Sequence, residues 1–417
     1  MKANLRRDTV AIFTAQTFYR LSGFVLLIVL SRKLGASDIG AFFFAVAFAE
    51  SLAVLSHFGT SSIMSRRVAS APGEAAAHFA PLVGFRMLSA PVYLLVVVSL
   101  GAVFTSASLY LVAAAAIIAL LEDVYFSFGS LFLALRKAVY NVTLGVSIHS
   151  AYIVVFLAGM SIAPSLGMLV GVTMFRAAAL AVAGVWLTQA RLFPLASRLD
   201  WQMVKAALPF VVIAALHTFR DQIGTLFLGT MASYEAVAHF NLAWRLVASS
   251  YFVPTAICAV IVPLLTAHGL TASNRRILIR AAMGVTAAGL FGAAVAAFLA
   301  GPLSAFMYGP LGDSVAPILR ALAVVFPLGF LAVFLSLVLQ ALYQEAHVLR
   351  TLLFVTLVNL VANWIMVPRF GAVGAAWSQI ISMGLQLAIL AWRLKTLHEG
   401  ERQTLTPEYR VFPEDSP

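Results

Sequence analysis

The chain has 417 residues, of which 62% are hydrophobic and 10% charged, with a formal net charge of +11. A soluble domain carries about 25% charged residues, so this chain lacks a soluble protein's polar coat, and its mean hydropathy of +0.97 excludes disorder. A single cysteine, Cys258, excludes an internal disulfide and a multi-cysteine metal site. What remains is an all-α polytopic membrane protein. At about 20 apolar residues per helical crossing, the length has room for about twelve.

The first apolar run, residues 10–30, follows the basic start Met1-Lys2 to Arg6-Arg7. It is too long for a cleaved signal peptide and is read as span one. Spans two to six are read at residues 39–63, 81–104, 108–134, 139–163 and 166–189. Spans seven to twelve are read at 206–231, 237–265, 278–299, 315–342, 348–367 and 372–394. Two long uncharged stretches are divided at 105–108 and at 159–167, where Gly, Pro and Ser cluster. The longest connection, 191–205, separates two sets of six spans. The expected organisation is therefore a first lobe over 1–190, a linker over 191–205, a second lobe over 206–395 and a polar tail over 396–417.

The basic residues orient this chain. Eighteen of the 27 Lys and Arg residues fall on the N-terminal side of the spans, against Arg32, Lys33 and Arg369 on the other side. The positive-inside rule then puts both termini in the cytoplasm, in an inner or plasma membrane. It also explains the net charge without nucleic acid. The halves echo one another. Phe18-Tyr19-Arg20 in span one has a counterpart in Phe219-Arg220 of span seven, and Gly40-Ala41-Phe42 in Ala238-His239-Phe240. Parallel repeats of this kind bind substrate near the midplane.

Six arginines fall inside spans: Arg20, Arg86, Arg176, Arg220, Arg245 and Arg320. Four carboxylates accompany them: Glu50, Glu122, Asp123 and Asp221. Each Arg facing lipid at mid-bilayer would cost about 2.5–3.5 kcal/mol, so the set is expected to face a wet cavity or ionic partners. Arg86 and Arg320 lie nearer span ends, where they could snorkel. Glu50 could pair with Arg20 on the neighbouring helix. The excess of arginine favours an anionic substrate, and the planar guanidinium fork suits phosphate. Glu50, Glu122, Asp123, Asp221 and His217 are the candidates for coupling to H+ or Na+. His217 and Asp221 share a helix face. The sequence shows no zinc-type His/Cys cluster, no Walker loop and no Gly-x-Ser-x-Gly elbow, so no metal, cofactor or catalytic residue is expected.

Three stretches carry a family resemblance. They are Leu30-Ser-Arg-Lys-Leu-Gly35-Ala-Ser-Asp-Ile-Gly40-Ala-Phe42, Gly59-Thr-Ser-Ser-Ile-Met-Ser-Arg66-Arg67, and Asn359-Leu-Val-Ala-Asn363-Trp-Ile-Met-Val-Pro368-Arg-Phe-Gly371-Ala-Val-Gly374. In this order they resemble the polysaccharide-synthesis branch of the multidrug/oligosaccharidyl-lipid/polysaccharide exporter superfamily. The resemblance implies two six-helix lobes around a central cavity with alternating access. It implies a flippase for polyprenyl-pyrophosphate-linked oligosaccharide, such as an O-antigen unit, with basic cavity residues meeting the pyrophosphate. Arg20, Arg176, Arg220 and Arg245 are the leading candidates by depth. The partners implied are the lipid-linked substrate and membrane lipid. A multidrug cation antiporter of the same superfamily is the first alternative. A membrane polysaccharide polymerase or ligase is the second; it would need a sizeable external loop, and the longest read here is 300–314.

Overall fold

A computed structural model describes residues 2–105, 107–268 and 270–404, with side chains described outside 2–13, 209–210, 212–214, 217, 267–268, 272–273 and 398–404. Every regular element among them is helical. In a bilayer this follows from the backbone, because a helix satisfies its own N–H and C=O groups where water cannot. In chain order the helices are α1 (Lys2–Lys33), α2 (Ala36–Leu52), α3 (Val54–His57), α4 (Thr60–Ser70), α5 (Ala75–Phe104), α6 (Leu109–Ala134), α7 (Ala138–Ile162) and α8 (Leu166–Arg191). The second half holds α9 (Trp201–Met231), α10 (Tyr234–Ser249), α11 (Phe252–His268), α12 (Ala272–Tyr308), α13 (Gly312–Leu322), α14 (Val325–Ala341) and α15 (Glu345–Thr404).

Nine helical stretches among the described residues are long and apolar enough to cross a membrane. The 31-residue α9 and the shorter apolar α14 add two more. Within α15 the backbone leaves helical geometry at Gly371 (φ 55, ψ −132). There the chain doubles back, since Asn359 donates to the Ser378 carbonyl at 3.3 Å and to Ser382 Oγ at 2.6 Å. Twelve crossings result, and both breaks read at 105–108 and 159–167 are present.

Four expectations are corrected. Span two is not continuous. Phe58 and Gly59 are both left-handed (φ 45 and 64), which separates α3 from α4. Spans eight and ten are likewise interrupted, between α10 and α11 and between α13 and α14. Span nine is longer than read, because α12 runs to Tyr308 and fills most of the loop expected over 300–314. Hydropathy sees none of this, because a kinked apolar helix has the same composition as a straight one.

Two helix-end turns, one in each half of the chain, share a backbone form. Arg136 after α6 and Tyr343 after α14 both take positive φ, at 56 and 59. Lys137 N bonds to Phe132 O, and Gln344 N to Leu339 O, closing the same turn at the same offset along the chain. The start of α2 and the start of α10 match in the same way, with Ile39 N on Gly35 O and Val237 N on Ser233 O.

The two halves meet closely at the end of the molecule that bears Gly35 and Ser233. A Cβ on Gly40 of α2 would lie 1.6 Å from the Tyr234 carbonyl oxygen, so only glycine allows α2 and α10 to cross there. A Cβ on Gly229 would lie 2.0 Å from the Phe44 ring. Nearby, Ser31 donates to the Met307 carbonyl at 3.4 Å. At the opposite end the linker is tied to the first half. Arg198 N bonds to Ala80 O at 3.1 Å, and Leu192, Phe193 and Leu195 pack on a cluster built around Phe79, Phe128 and Phe132.

Candidate functional site

Helices α1, α2–α4, α6, α7 and α8 enclose a chamber of about 990 Å³. Gln16 and Tyr19 line it from α1, Glu50 and His57 from span two, Glu122, Asp123 and Tyr125 from α6, Asn141 and His149 from α7, and Arg176 from α8. A smaller chamber of about 280 Å³ continues along α1 between Gly23 and Leu30. It shares Glu50, Glu122 and Arg176 with the first and adds Arg245 from α10. Its other walls are mostly apolar, including Leu27, Phe42 and Phe156. The wide chamber therefore narrows toward the end where the halves meet, and the charged groups sit at the constriction.

Each charge there has a partner. Arg176 forms an ion pair with Glu122, and its guanidinium lies 5.3 Å above the Tyr152 ring. Arg245 lies 4.4 Å above the Phe43 ring. It is exposed to the small chamber although protein surrounds it. Glu50 accepts a hydrogen bond from Gln222 Nε2 at 2.6 Å, which joins span two to α9 of the other half. Cation–π contacts of this kind are worth about 0.5–2 kcal/mol, enough to hold a guanidinium in place while leaving donors for a ligand.

Behind the wide chamber lies a second charged group. Arg86 is 8% exposed and pairs with Asp123, its Nη2 donating to Oδ1 at 3.1 Å. It also donates to Ser127 Oγ at 3.0 Å and Ser61 Oγ at 3.3 Å. Ser56 donates to Asp123 Oδ2 at 3.0 Å. Arg86 thus faces inward and does not snorkel as its position near a span end suggested. The break at Phe58–Gly59 makes this cluster possible. Ser56 and Ser61 flank the break, and Ser89 donates to the buried Ser56 carbonyl at 2.7 Å. Irregular backbone at this depth is tolerated only where protein or a cavity satisfies it.

The remaining candidates lie apart from the chamber lining. Arg20 donates to the Ser249 carbonyl at the end of α10 and sits 5.4 Å above the Phe252 ring. It ties the two halves together, and Glu50, set opposite it in the sequence reading, takes Gln222 instead. Arg220 is buried against α15, where it donates to Gln386 Oε1 at 2.7 Å. Asp221 is exposed on α9 and Arg320 on α13. The His217 side chain lies outside the described residues. Sequence reasoning found the charged groups and missed their neutral partners. Gln222, Ser56, Ser61, Ser127 and Tyr152 carry no charge to draw attention, although Gly59 inside an apolar run was a signal that span two breaks.

Two titratable groups outside the spans are shifted. Burial alone would raise the Asp200 carboxyl, but hydrogen bonds from Arg67 and from the Met203 and Gln202 amides outweigh it and hold the group below the usual carboxylate range. Burial, then Arg393 and Arg350, lowers His347.

Comparison with known proteins gives the family. The model of the family described as "Polysaccharide biosynthesis protein" matches residues 5–268. Among curated proteins, no sequence matches the chain. Several solved structures share the fold. An inward-facing multidrug resistance MATE family transporter of the MOP superfamily superposes with a TM-score of 0.68 at 14% identity, covering 91% of this chain and 95% of that one. The lipid II flippase MurJ, in an inward closed conformation, gives 0.73 at 13% identity, covering 93% and 87%. A MOP superfamily transporter from Pyrococcus furiosus gives 0.62 at 17% identity, covering 95% and 96%. The matched region takes in both chambers' walls and more than half of the sequence, and the chain belongs to the polysaccharide biosynthesis protein family.

Proposed function

We propose that this chain is a flippase that moves a polyprenyl-pyrophosphate-linked oligosaccharide across the membrane by alternating access. The observation that carries this reading is that Arg176, shared with the wide chamber, and Arg245 both line the small chamber. A pyrophosphate seated there reaches two guanidiniums, each able to bind two oxygens. The wide chamber accepts the headgroup from the basic, cytoplasmic end. The halves, residues 1–190 and 206–395 joined by 191–205, then separate at Gly40–Tyr234 and release it on the other side. The polyprenyl tail stays in lipid throughout. Family membership and the MurJ-like fold support this reading.

The carboxylates give the cycle its reset. Glu122 competes with the cargo for Arg176, and Glu50 sits beside Arg245. Protonation of Glu122, or its capture of Na+, frees Arg176 for the pyrophosphate. The test is leaflet sidedness. Cells lacking the gene should hold the lipid-linked oligosaccharide in the cytoplasmic leaflet, hidden from an impermeant lectin. The wild-type gene should restore exposure, and Arg176→Ala should not, at equal protein level. Normal exposure in the deletion strain, with no second flippase present, would overturn the proposal.

One observation favours a second reading, an antiporter for organic cations. The wide chamber is lined by Glu50, Glu122 and Asp123 against Arg176. Asp123 is already paired with Arg86 and Glu122 with Arg176, which leaves little free negative charge. A panel of cationic drugs separates the two, since the antiporter reading requires raised susceptibility in the deletion strain.

A further inference from the structure

The constriction accounts for charge, but one wall of the wide chamber carries polar groups that the charges do not use. On α1, Gln16 is exposed to the chamber and makes no hydrogen bond among the described residues. One turn on, the Tyr19 hydroxyl also has no hydrogen-bond partner among them. It points at Gly145 of α7, where an added Cβ would lie 2.1 Å from Tyr19 Oη and 2.8 Å from Tyr125 Oη. Gly145 thus lets two phenol hydroxyls converge on the chamber wall, where Tyr125 donates to the Asn141 carbonyl at 3.3 Å and keeps its acceptor lone pairs. On the same helix, Asn141 lines the chamber beside Gly145, and its amide oxygen is buried toward Gly129 of α6 with no partner. His149 closes the wall, with its ring 5.1 Å from that of Tyr19 and its Nε2 2.8 Å from Ser22 Oγ.

A buried polar group without a partner is unfavourable, by roughly 1–3 kcal/mol on protein scales, and in this wall that holds for the Asn141 amide oxygen. Gln16 and the Tyr19 hydroxyl add hydrogen-bonding capacity on the same wall for a ligand or its waters. The chemistry of the set defines that ligand. Gln16, Tyr19, Tyr125 and Asn141 are all neutral, and their side chains both donate and accept. Such a wall does not select an anion or a cation. It suits a neutral polyol, whose hydroxyls also do both. The rings add a second feature, because a sugar presents a face of C–H bonds that packs on the electron-rich face of an aromatic ring. At about 990 Å³ the chamber is at the upper end of the usual range for small-molecule sites, about 300–1,000 Å³.

We infer that Gln16, Tyr19, Tyr125 and Asn141, gathered around Gly145, form a sugar subsite distinct from the arginine constriction. This rests on the flippase reading and divides its cargo between two places. The pyrophosphate takes Arg176 and Arg245, and the first sugar takes the α1–α7 wall. Headgroup selection then lies with the neutral wall, while the arginines bind every cargo alike.

The test uses the full chain in lipid nanodiscs and two probes. One is sugar-free polyprenyl pyrophosphate. The other is the polyprenyl-pyrophosphate-linked glycan extracted from the cells that express the chain. Wild type should bind the glycan form at least tenfold more tightly. Tyr19→Ala and Gln16→Ala should erase most of that preference while leaving the sugar-free probe within twofold of wild type. Gly145→Ala, which displaces both hydroxyls, should act in the same direction, and Tyr19→Phe keeps the ring as a fold control. Arg176→Gln should weaken both probes together. Equal binding of both probes by wild type, or equal loss of both in Tyr19→Ala, would overturn the subsite while leaving pyrophosphate capture standing. Wild type binding neither probe would overturn the subsite and the flippase reading together.

Discussion

Gln222 Nε2 donates to Glu50 Oε2 at 2.6 Å, and this bond crosses between the two halves of the chain beside the constriction. A hydrogen bond to a charged group is worth about 1.5–3 kcal/mol. It also lies between elements that must part if the halves rock. Gln222→Ala should therefore shift the balance of conformers by roughly tenfold toward the state open at the Gly35 end, about 1.4 kcal/mol. Spin-label distances between Ala36 and Ser233, with Cys258 replaced, would measure it. An unchanged distance distribution would remove Gln222 from the gating contacts.

Gly40 sets how closely the halves approach. Its missing Cβ is what allows α2 to cross α10 at the Tyr234 carbonyl. Gly40→Ala should hold the halves apart at that end. Ser31, 3% exposed behind the same contact, reports on it. A Ser31→Cys variant should react severalfold faster with an impermeant thiol reagent once Gly40→Ala is added. Equal rates would show that the crossing relaxes elsewhere.

The buried pair of Arg86 and Asp123 makes a prediction about stability. Removing one partner of such a pair costs about 3–5 kcal/mol, whereas replacing both with apolar groups is often neutral. Arg86→Met and Asp123→Leu should each lower the apparent melting temperature of the purified protein by several degrees. The double variant should recover most of the loss. If the singles are as stable as wild type, the cluster behind span two is not structural.

At the linker, Asp200 caps α9 through the Gln202 and Met203 amides and pairs with Arg67 at 3.2 Å. Its carboxyl is held below the usual carboxylate range. A carboxylate lowered in the folded state stabilises it fully above the unfolded value, and the contribution is lost as pH falls through the folded value. Asp200→Ala should therefore loosen the segment before α9 at neutral pH, by about 1 kcal/mol for the cap, and its effect should shrink as the pH falls below the usual carboxylate range. Hydrogen exchange at the α9 amides, run at neutral and at acid pH, checks the sign.

Much of the fold was legible because a bilayer leaves few choices. Apolar length gave the crossings, and Gly, Pro and Ser clusters gave the two hidden turns. Asn359, Asn363 and Gly371 marked the last hairpin, where the asparagines now bond within the turned-back pair. The site was legible only as a list of charges. Arg176, Arg245, Glu50 and Glu122 are brought together, but Arg20 and Arg220 serve helix contacts at similar depth. Depth in a span says nothing about which face an arginine occupies, and that face depends on helix rotation. The break at Phe58–Gly59 was only half legible, for a different reason. Only Gly59 advertises positive φ, and Phe58 adopts it beside Gly59 without any compositional sign.

The pairing of charges around the chambers has an electrical consequence. Arg86 offsets Asp123, Arg176 offsets Glu122, and Arg245 lies beside Glu50, so the charges around the chambers nearly cancel in the empty carrier. Under the proposed function, a pyrophosphate cargo would make the loaded form more negative than the empty one. An inside-negative voltage then pushes the loaded form outward, by about 2.3 kcal/mol per charge for each 100 mV traversed. The empty form returns without opposing it. The resting voltage of the cell would then favour outward movement of the loaded form, alongside the reset that the carboxylates provide.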